Sequence, residues 1–470
     1  MRPPIQPARD LLPQVLARRG PVSTTALAAE LSISVATLHR MLPALGDQLV
    51  SGGAARRTRY ALRRPLRGVA GDLPLYAVDE AGQARHVGDL ALLRPEGSLL
   101  TPSPGDPADA TPDWPLPDEA RDGWWGGLPY PLDDMRPQGY LGRQFARAEH
   151  AALGLPANPE AWSDDDIAWA LSQRGADLSG QLILGNPAFE RWQAGKLAPP
   201  APIAEVDLPA AYAALAEQAV AQGVPGSSAA GEFPKLPALR ELPGAATPHV
   251  LVKFSGADGS PAVQRWADLL VCEHLALQAA ATLPGVRSAA SRIVQHAGGR
   301  TFLEVERFDR HGAFGRSGLV SLGSLDAALI GDGSADWPRL AARLAALKLL
   351  TPQEVAAIEL LWWFGRLIAN SDMHTGNLSF QPRGGRLTLA PVYDMLPMRH
   401  APLPGGEVAP PPREFEPVLP LPTQRTSWGI ACRAALAFWQ AAAADVRISA
   451  GFQAICARHA RDLAEQAARL

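Results

Sequence analysis

The chain is 470 residues long with 47% hydrophobic side chains, which at about 150 residues per domain is a prior of about three domains, each able to bury a core. Its 43 glycines and 45 prolines fall short of the share that marks a low-complexity chain, so wholesale disorder is excluded. The net charge of −3 hides an asymmetry: residues 1–70 hold eleven arginines against Asp10, Glu30 and Asp47, a local net of +8 that leaves −11 on the rest.

The N-terminus leads into no apolar stretch and no small-residue cleavage site, which predicts a protein that stays in the cytoplasm. Asp10 is expected to cap a helix that buries Leu11, Leu12, Val15 and Leu16 and that Gly20 and Pro21 end. Ser23 caps a second short helix with Leu27 and Leu31 inward. Ser34 caps a third, in which Val35, Leu38, Met41 and Leu42 form the buried stripe while Thr37, His39 and Arg40 point away. Leu49-Val50, the turn Ser51-Gly52-Gly53 and the run Arg56 to Leu62 then read as two strands with arginines at their tip. Together the segment resembles a winged helix-turn-helix over residues 1–68. That resemblance implies Thr37, His39 and Arg40 near DNA base edges and Arg56, Arg57 and Arg59 on the phosphate backbone. The local basicity suits a polyanion through counterion release, although a solvated arginine face or a protein-docking module shares the pattern.

Residues 69–190 predict a small β-rich unit, with strands over 75–78 and 87–93 around a turn at Asp79 to Gly82. Pro102 to Pro117 and Pro402 to Pro422 read as solvated connectors, the second preceding helical patterns over 427–446 and 450–468. No apolar run is long and uncharged enough to span a membrane; even Val355 to Ala369 contains Glu359 and Arg366. Cys272, Cys432 and Cys456 are too widely spaced for a CxxC metal site and are expected to be buried thiols.

The densest chemistry lies in Asn370-Ser371-Asp372-Met373-His374-Thr375-Gly376-Asn377, between an apolar helix and a hairpin whose turn is Pro382 to Gly385. Val392-Tyr393-Asp394 follows the second strand, so the hairpin returns a second carboxylate beside the loop. Phosphoryl transfer needs such a set: one carboxylate to accept a proton, then an amide oxygen and another carboxylate to hold Mg²⁺ on a triphosphate. The Asp372-to-Asn377 spacing equals that of the protein-kinase catalytic loop, with Met395-Leu396 after Asp394 in place of the familiar Phe-Gly. Upstream, His249 to Phe254 predicts a strand carrying Lys253 among apolar neighbours. The next helix places Glu273 in the stripe of Trp266, Leu270 and Leu277. Two charges of opposite sign on adjacent apolar elements explain each other, against a snorkelling lysine and a solvent-tilted glutamate. Gly226 to Lys235 is a small-residue loop suited to phosphates, and Phe302 to Arg310 is a strand leading to the adenine edge.

The motifs Ser-Ser-Ala-Ala-Gly-Glu-Phe-Pro-Lys, Val-Lys-Phe, Cys-Glu-His-Leu, Val-Glu-Arg-Phe-Asp-Arg, Asn-Ser-Asp-Met-His-Thr-Gly-Asn and Val-Tyr-Asp stand in the order of the HipA family of serine/threonine kinases, which residues 220–400 resemble. The added N-terminal module resembles the YjjJ-type branch, with weaker likeness over 71–190. The resemblance implies an α+β architecture: a winged helix-turn-helix (1–68), a HipA-like β-rich subdomain (69–190), a kinase N-lobe (191–310) and a helical C-lobe (311–470). It further implies ATP and Mg²⁺ as cofactors. Asp372 is then the general base, Asn377 and Asp394 bind metal, and Lys253 holds the phosphates with Glu273 behind it. Gly231 lies in the phosphate loop, and Glu306, Arg307 and Phe308 line the adenine pocket. Ser228 falls where these kinases phosphorylate themselves, while Asn370 and His374 brace the loop. Implied partners are DNA, an antitoxin and a protein substrate such as an aminoacyl-tRNA synthetase, with no membrane. Gly376 stands where relatives often carry lysine, and Glu232 introduces an acid beside phosphates. Two other functions remain open: a DNA-binding regulator whose kinase-like domain senses nucleotide, and a small-molecule or lipid phosphotransferase.

Overall fold

The computed structural model describes residues 5–103, 114–221, 233–403, 407–408 and 417–470. The chain forms two units, one of residues 1–79, 83–136 and 149–198, the other of 80–82, 137–148 and 199–470. The architecture is mixed α/β.

The first unit opens with α1 (Ile5–Arg19), β1 (Val22–Ser23), α2 (Thr24–Glu30), α3 (Val35–Met41), β2 (Leu49–Gly52) and β3 (Arg59–Leu62). The Ser23 and Ser34 hydroxyls accept from the Ala26 and Thr37 amides, which fixes where α2 and α3 start. Leu12, Val15, Leu16, Leu27, Leu38 and Met41 close one core. Two expectations are corrected. α1 begins at Ile5, so Asp10 lies within it rather than capping it, and the rotation set by that start leaves Leu11 48% exposed. Val35 is 40% exposed: it occupies the first position of α3, before the helix turns its stripe inward at Leu38. The sheet has three strands, in order β1-β3-β2, because β1 pairs with β3 through Val22 and Ser23.

β4 (Leu73–Val78), β5 (Ala84–Leu92), β6 (Ser98–Pro102) and β7 (Trp124–Trp125) follow, then α4 (Gly139–Leu153), whose residues 139–148 belong to the second unit, α5 (Asp164–Arg174), β8 (Leu182–Leu184) and α6 (Asn186–Leu197). The strands form one antiparallel sheet ordered β7-β6-β5-β4-β8. The segment is richer in helix than its reading as a β-rich unit, since α5 and α6 pack beside β8. Its core does not stop at residue 68: Val50 and Ala61 are buried in one cluster with Ala91, Leu93, Leu99 and Trp124.

The second unit contains α7 (Leu208–Ala221), β9 (Lys235–Leu239), β10 (His249–Phe254), α8 (Pro261–Ala280), β11 (Ser291–Gln295) and β12 (Thr301–Glu306). Its sheet runs β11-β12-β10-β9, antiparallel throughout. Val250, Val252 and Phe254 alternate onto one face, where they bury against Tyr212 and Ala216 of α7. Lys253 therefore belongs to the opposite face. Short strands β13 (Arg310–His311), β14 (Gly315–Arg316) and β15 (Val320–Ser321) lead to α9 (Leu322–Leu325), α10 (Trp337–Ala346) and α11 (Pro352–Leu367). Then come β16 (Ser379–Arg383), β17 (Arg386–Leu389), α12 (Arg425–Ala444) and α13 (Ala450–Ala468). Gly384 and Gly385 both have positive φ (56° and 70°), as a two-residue hairpin turn requires. All three cysteines are free and buried. Among the described residues no helix is long and apolar enough to cross a membrane.

Candidate active site

Lys253 and Glu273 are buried on facing elements, β10 and α8, and the ammonium lies 2.8 and 2.7 Å from the two Glu273 oxygens. It lies 2.5 Å from Asp394 Oδ1, although 141 positions separate the two residues. Burial alone would lower the Lys253 pKa, but Asp394 and Glu273 more than reverse this and keep the amine charged. Burial pushes Asp394 up in turn, yet the Lys253 and Lys235 ammoniums and the His374 ring hold it at about 2. Burial raises Glu273, with Lys253 opposing. Lys235 sits opposite Lys253 in the β9–β10 register, which is why its charge reaches Asp394. The Phe233 ring lies 5.7 Å from the Lys253 ammonium and packs edge-on against Trp266 of α8 at 4.6 Å.

The loop bearing Asp372 is fixed by its own polar groups. Ala369 takes φ +59°, which ends α11, and the Asn370 amide returns to the Gly365 carbonyl at 2.9 Å. Asn370 Oδ1 accepts the Asp372 amide at 3.0 Å, and Asn377 Nδ2 donates to the Asp372 carbonyl at 2.9 Å. His374 Nδ1 accepts the Gly376 amide at 3.1 Å. A Cβ at Gly376 would lie 3.0 Å from the His374 ring, so a lysine there would require the ring to shift. The Asp372 side chain is exposed. Behind the loop, Met373 and Met395 crowd Gly365, where a Cβ would come within 2.5 Å of Met373 Sδ.

Asp394 arrives by a different route. After β17 the Val392 amide donates to the Arg287 carbonyl and the Val392 carbonyl accepts the Ala289 amide, which ties this segment to the stretch between α8 and β11. The Tyr393 hydroxyl donates to the Gly376 carbonyl at 2.6 Å and meets Ser379 Oγ at 2.7 Å. A hydrogen bond thus joins the neighbour of Asp394 to the neighbour of Asn377. Asp394 itself has φ +56°, a left-handed conformation unusual for a non-glycine residue.

The adenine-edge residues are placed differently from one another. Glu306 pairs with Arg240 at 2.9 Å and Arg307 with Asp309 at 3.0 Å. Phe308 keeps its ring 5.6 Å from that of Tyr393. Ser228 and Gly231 lie outside the described residues. Phe233, Lys235, Trp266 and Tyr393 lie in motifs visible in the sequence but carry no assigned role there; that of Lys235 was reachable, since pairing two adjacent strands puts it beside Lys253.

In the first unit, His39 and Arg40 of α3 are exposed and Thr37 is half-buried, its hydroxyl 2.9 Å from Ser34 Oγ. Arg40 folds back on its own helix, toward the Ala36 carbonyl and Thr37 Oγ1 at 3.3 Å. Arg56 and Arg59 are exposed, while Arg57 pairs with Asp122 at 3.2 Å.

Comparison with known proteins gives three findings. Residues 69–193 match the family described as YjjJ-like toxin, middle domain, and residues 227–468 match the HipA-like C-terminal domain. Toxin YjjJ of Escherichia coli K12 is 37% identical over 456 residues, covering 96% of this chain and 98% of its own. Among solved structures, the complex of Shewanella oneidensis HipA with HipB and operator DNA matches with a TM-score of 0.51 at 15% identity, over 84% of this chain and 97% of that one.

Proposed function

The chain belongs to the HipA-like toxin family, and on that footing we propose that it is an Mg²⁺/ATP-dependent protein serine/threonine kinase with a DNA-binding module at its N-terminus. The observation that carries the reading is the Lys253 ammonium held between Glu273 and Asp394. A buried cation with one carboxylate behind it and another beside the loop of Asp372 is suited to the phosphates of a nucleotide.

Asp372 accepts the hydroxyl proton of a serine or threonine as its oxygen bonds to the γ-phosphorus. The bond from that phosphorus to the β,γ-bridging oxygen breaks, and ADP leaves with the electron pair. Lys253 orients the phosphates, and Asn370 and Asn377 hold the Asp372 backbone still while the proton moves. Asn377 and Asp394 would hold Mg²⁺. Asn377 commits its Nδ2 to Asp372, which leaves Oδ1 as a ligand, and Asp394 commits Oδ1 to Lys253, which leaves Oδ2. Asn377 Oδ1 and Asp394 Oδ2 are the two oxygens the protein would offer, a hard donor set that suits Mg²⁺ once phosphate oxygens and water complete it. Bound there, the ion neutralises charge on the phosphate oxygens.

The test is transfer of labelled phosphate from ATP by the full chain. Asp372→Ala is expected to keep nucleotide binding and to lose transfer by about 10²–10⁴-fold. Full activity in that variant would remove the assignment. Ser228 is the self-phosphorylation site in this reading, and its modification adds nearly two negative charges to a phosphate-binding loop. Residues 1–68 act as a winged helix-turn-helix, with Arg56 and Arg59 on phosphate.

A further inference from the structure

A groove of about 440 Å³ opens beside Asp372, lined by Ser371 and His374 of the same loop and by Trp362, Arg366, Arg399 and Val418. Its size is that of a cleft that takes a ligand or a short stretch of polypeptide. Trp362 and Arg366 lie four apart on α11, and the guanidinium sits over the indole at 5.6 Å. Arg399 is placed by its backbone amide, which donates to the Ala369 carbonyl at 3.1 Å, and its side chain is exposed. Neither guanidinium meets a carboxylate in an ion pair among the described residues, whereas Arg240, Arg292, Arg307 and Arg447 of the same unit all do.

We propose that this groove seats the acceptor polypeptide and selects serine or threonine residues flanked by acidic side chains. The proposal rests on the phosphoryl-transfer reading and names its substrate class. The acceptor hydroxyl must approach an aspartate and a triphosphate, a strongly negative place, so carboxylates near it would be repelled unless cations stand beside the path. Arg366 and Arg399, which line the same groove as Asp372, are such cations, and their partners would be the peptide's own carboxylates. Trp362 and Val418 add apolar surface to the same groove. A nucleic acid is the less fitting occupant: residues 71–470 carry a net charge of −11, which repels a long polyanion but tolerates a short segment with a few carboxylates.

The test is fluorescence anisotropy of the full chain with two labelled peptides that share a central serine, one flanked by glutamates and one by lysines. The glutamate peptide is expected to bind at least about tenfold more tightly, and Arg366→Glu/Arg399→Glu is expected to invert the order. Arg366→Gln and Arg399→Gln, which disturb packing less, are each expected to weaken the glutamate peptide alone. Equal binding of both peptides to the wild type, an unchanged preference in the reversed variant, or displacement of the peptide by an RNA oligonucleotide at lower concentration than by unlabelled peptide would overturn the proposal. Binding is read without nucleotide, so absence of phosphoryl transfer would sink the kinase reading and leave this result to stand or fall separately.

Discussion

Lys253 carries more of the site than any other side chain, because it satisfies a buried carboxylate, Glu273, and a partly buried one, Asp394, that come from different parts of the chain. Its removal strands them both. Lys253→Met is expected to destabilise the C-terminal unit by about 3–5 kcal/mol, the usual result of taking one partner from a buried pair. Calorimetry on Lys253→Met/Glu273→Gln should recover part of that loss, since a neutral amide costs less to bury than a carboxylate. Failure of the double change to recover any stability would mean that Lys253 stabilises through packing alone. The residues that sequence reasoning paired, Lys253 and Glu273, were legible because each breaks an apolar stripe. Glu306 shows the opposite case: its motif is visible, but its ion pair with Arg240, 66 positions away, is one that no local pattern announces.

Helices α8, α12 and α13 meet around a pair of buried histidines. His400, just after the Asp394 segment, and His459 of α13 lie with Nε2 atoms 2.9 Å apart, beside Trp439. Burial, reinforced for His400 by His459, Arg265 and Arg399, pushes it down to about 3; burial with Arg458 and Arg399 pushes His459 down to about 4. Both folded values lie below the unfolded one, so the unfolded chain binds more protons through this range. The contribution to stability is complete above pH 6.5 and is lost as pH falls toward 4 and then 3. At pH 5 the loss is about 2 kcal/mol for each histidine. Denaturant midpoints measured at pH 7 and pH 5 check this, and His459→Gln should flatten the dependence. The helices themselves were plain in the sequence, α12 and α13 to within two residues at each end, because apolar periodicity fixes an element's existence. That two histidines 59 positions apart would meet in the core was not.

At the scale of the whole molecule, the N-terminal module does not end where its motif ends. Val50 and Ala61 bury against Ala91, Leu93, Leu99 and Trp124, so deletion of residues 1–68 would expose that cluster. The truncated chain is expected to precipitate or to bind a hydrophobic dye, as light scattering or dye fluorescence would reveal, and a soluble, cooperative product would show that the middle sheet folds without it. Point substitution is the cleaner probe of the DNA role. Arg56→Ala/Arg59→Ala in the full chain should weaken binding to any duplex and lower the salt slope by about 2, measured by gel shift across salt concentrations. Arg57, paired with Asp122, should contribute less. The amino-acid order by itself determined helices α2, α3, α11, α12 and α13, the β16–β17 hairpin, the uneven charge and the loop spacing from Asp372 to Asn377, since these depend on neighbours within a few residues. Only the tertiary structure decided which charges meet: Asp394 reaches Lys253, Tyr393 reaches Gly376, and Arg366 and Arg399 are left facing a groove. Those outcomes depend on how strands and helices pack across separations from 17 positions (Tyr393 to Gly376) to 141 (Lys253 to Asp394), and where a charge is buried the cost of leaving it unpaired selects its partner.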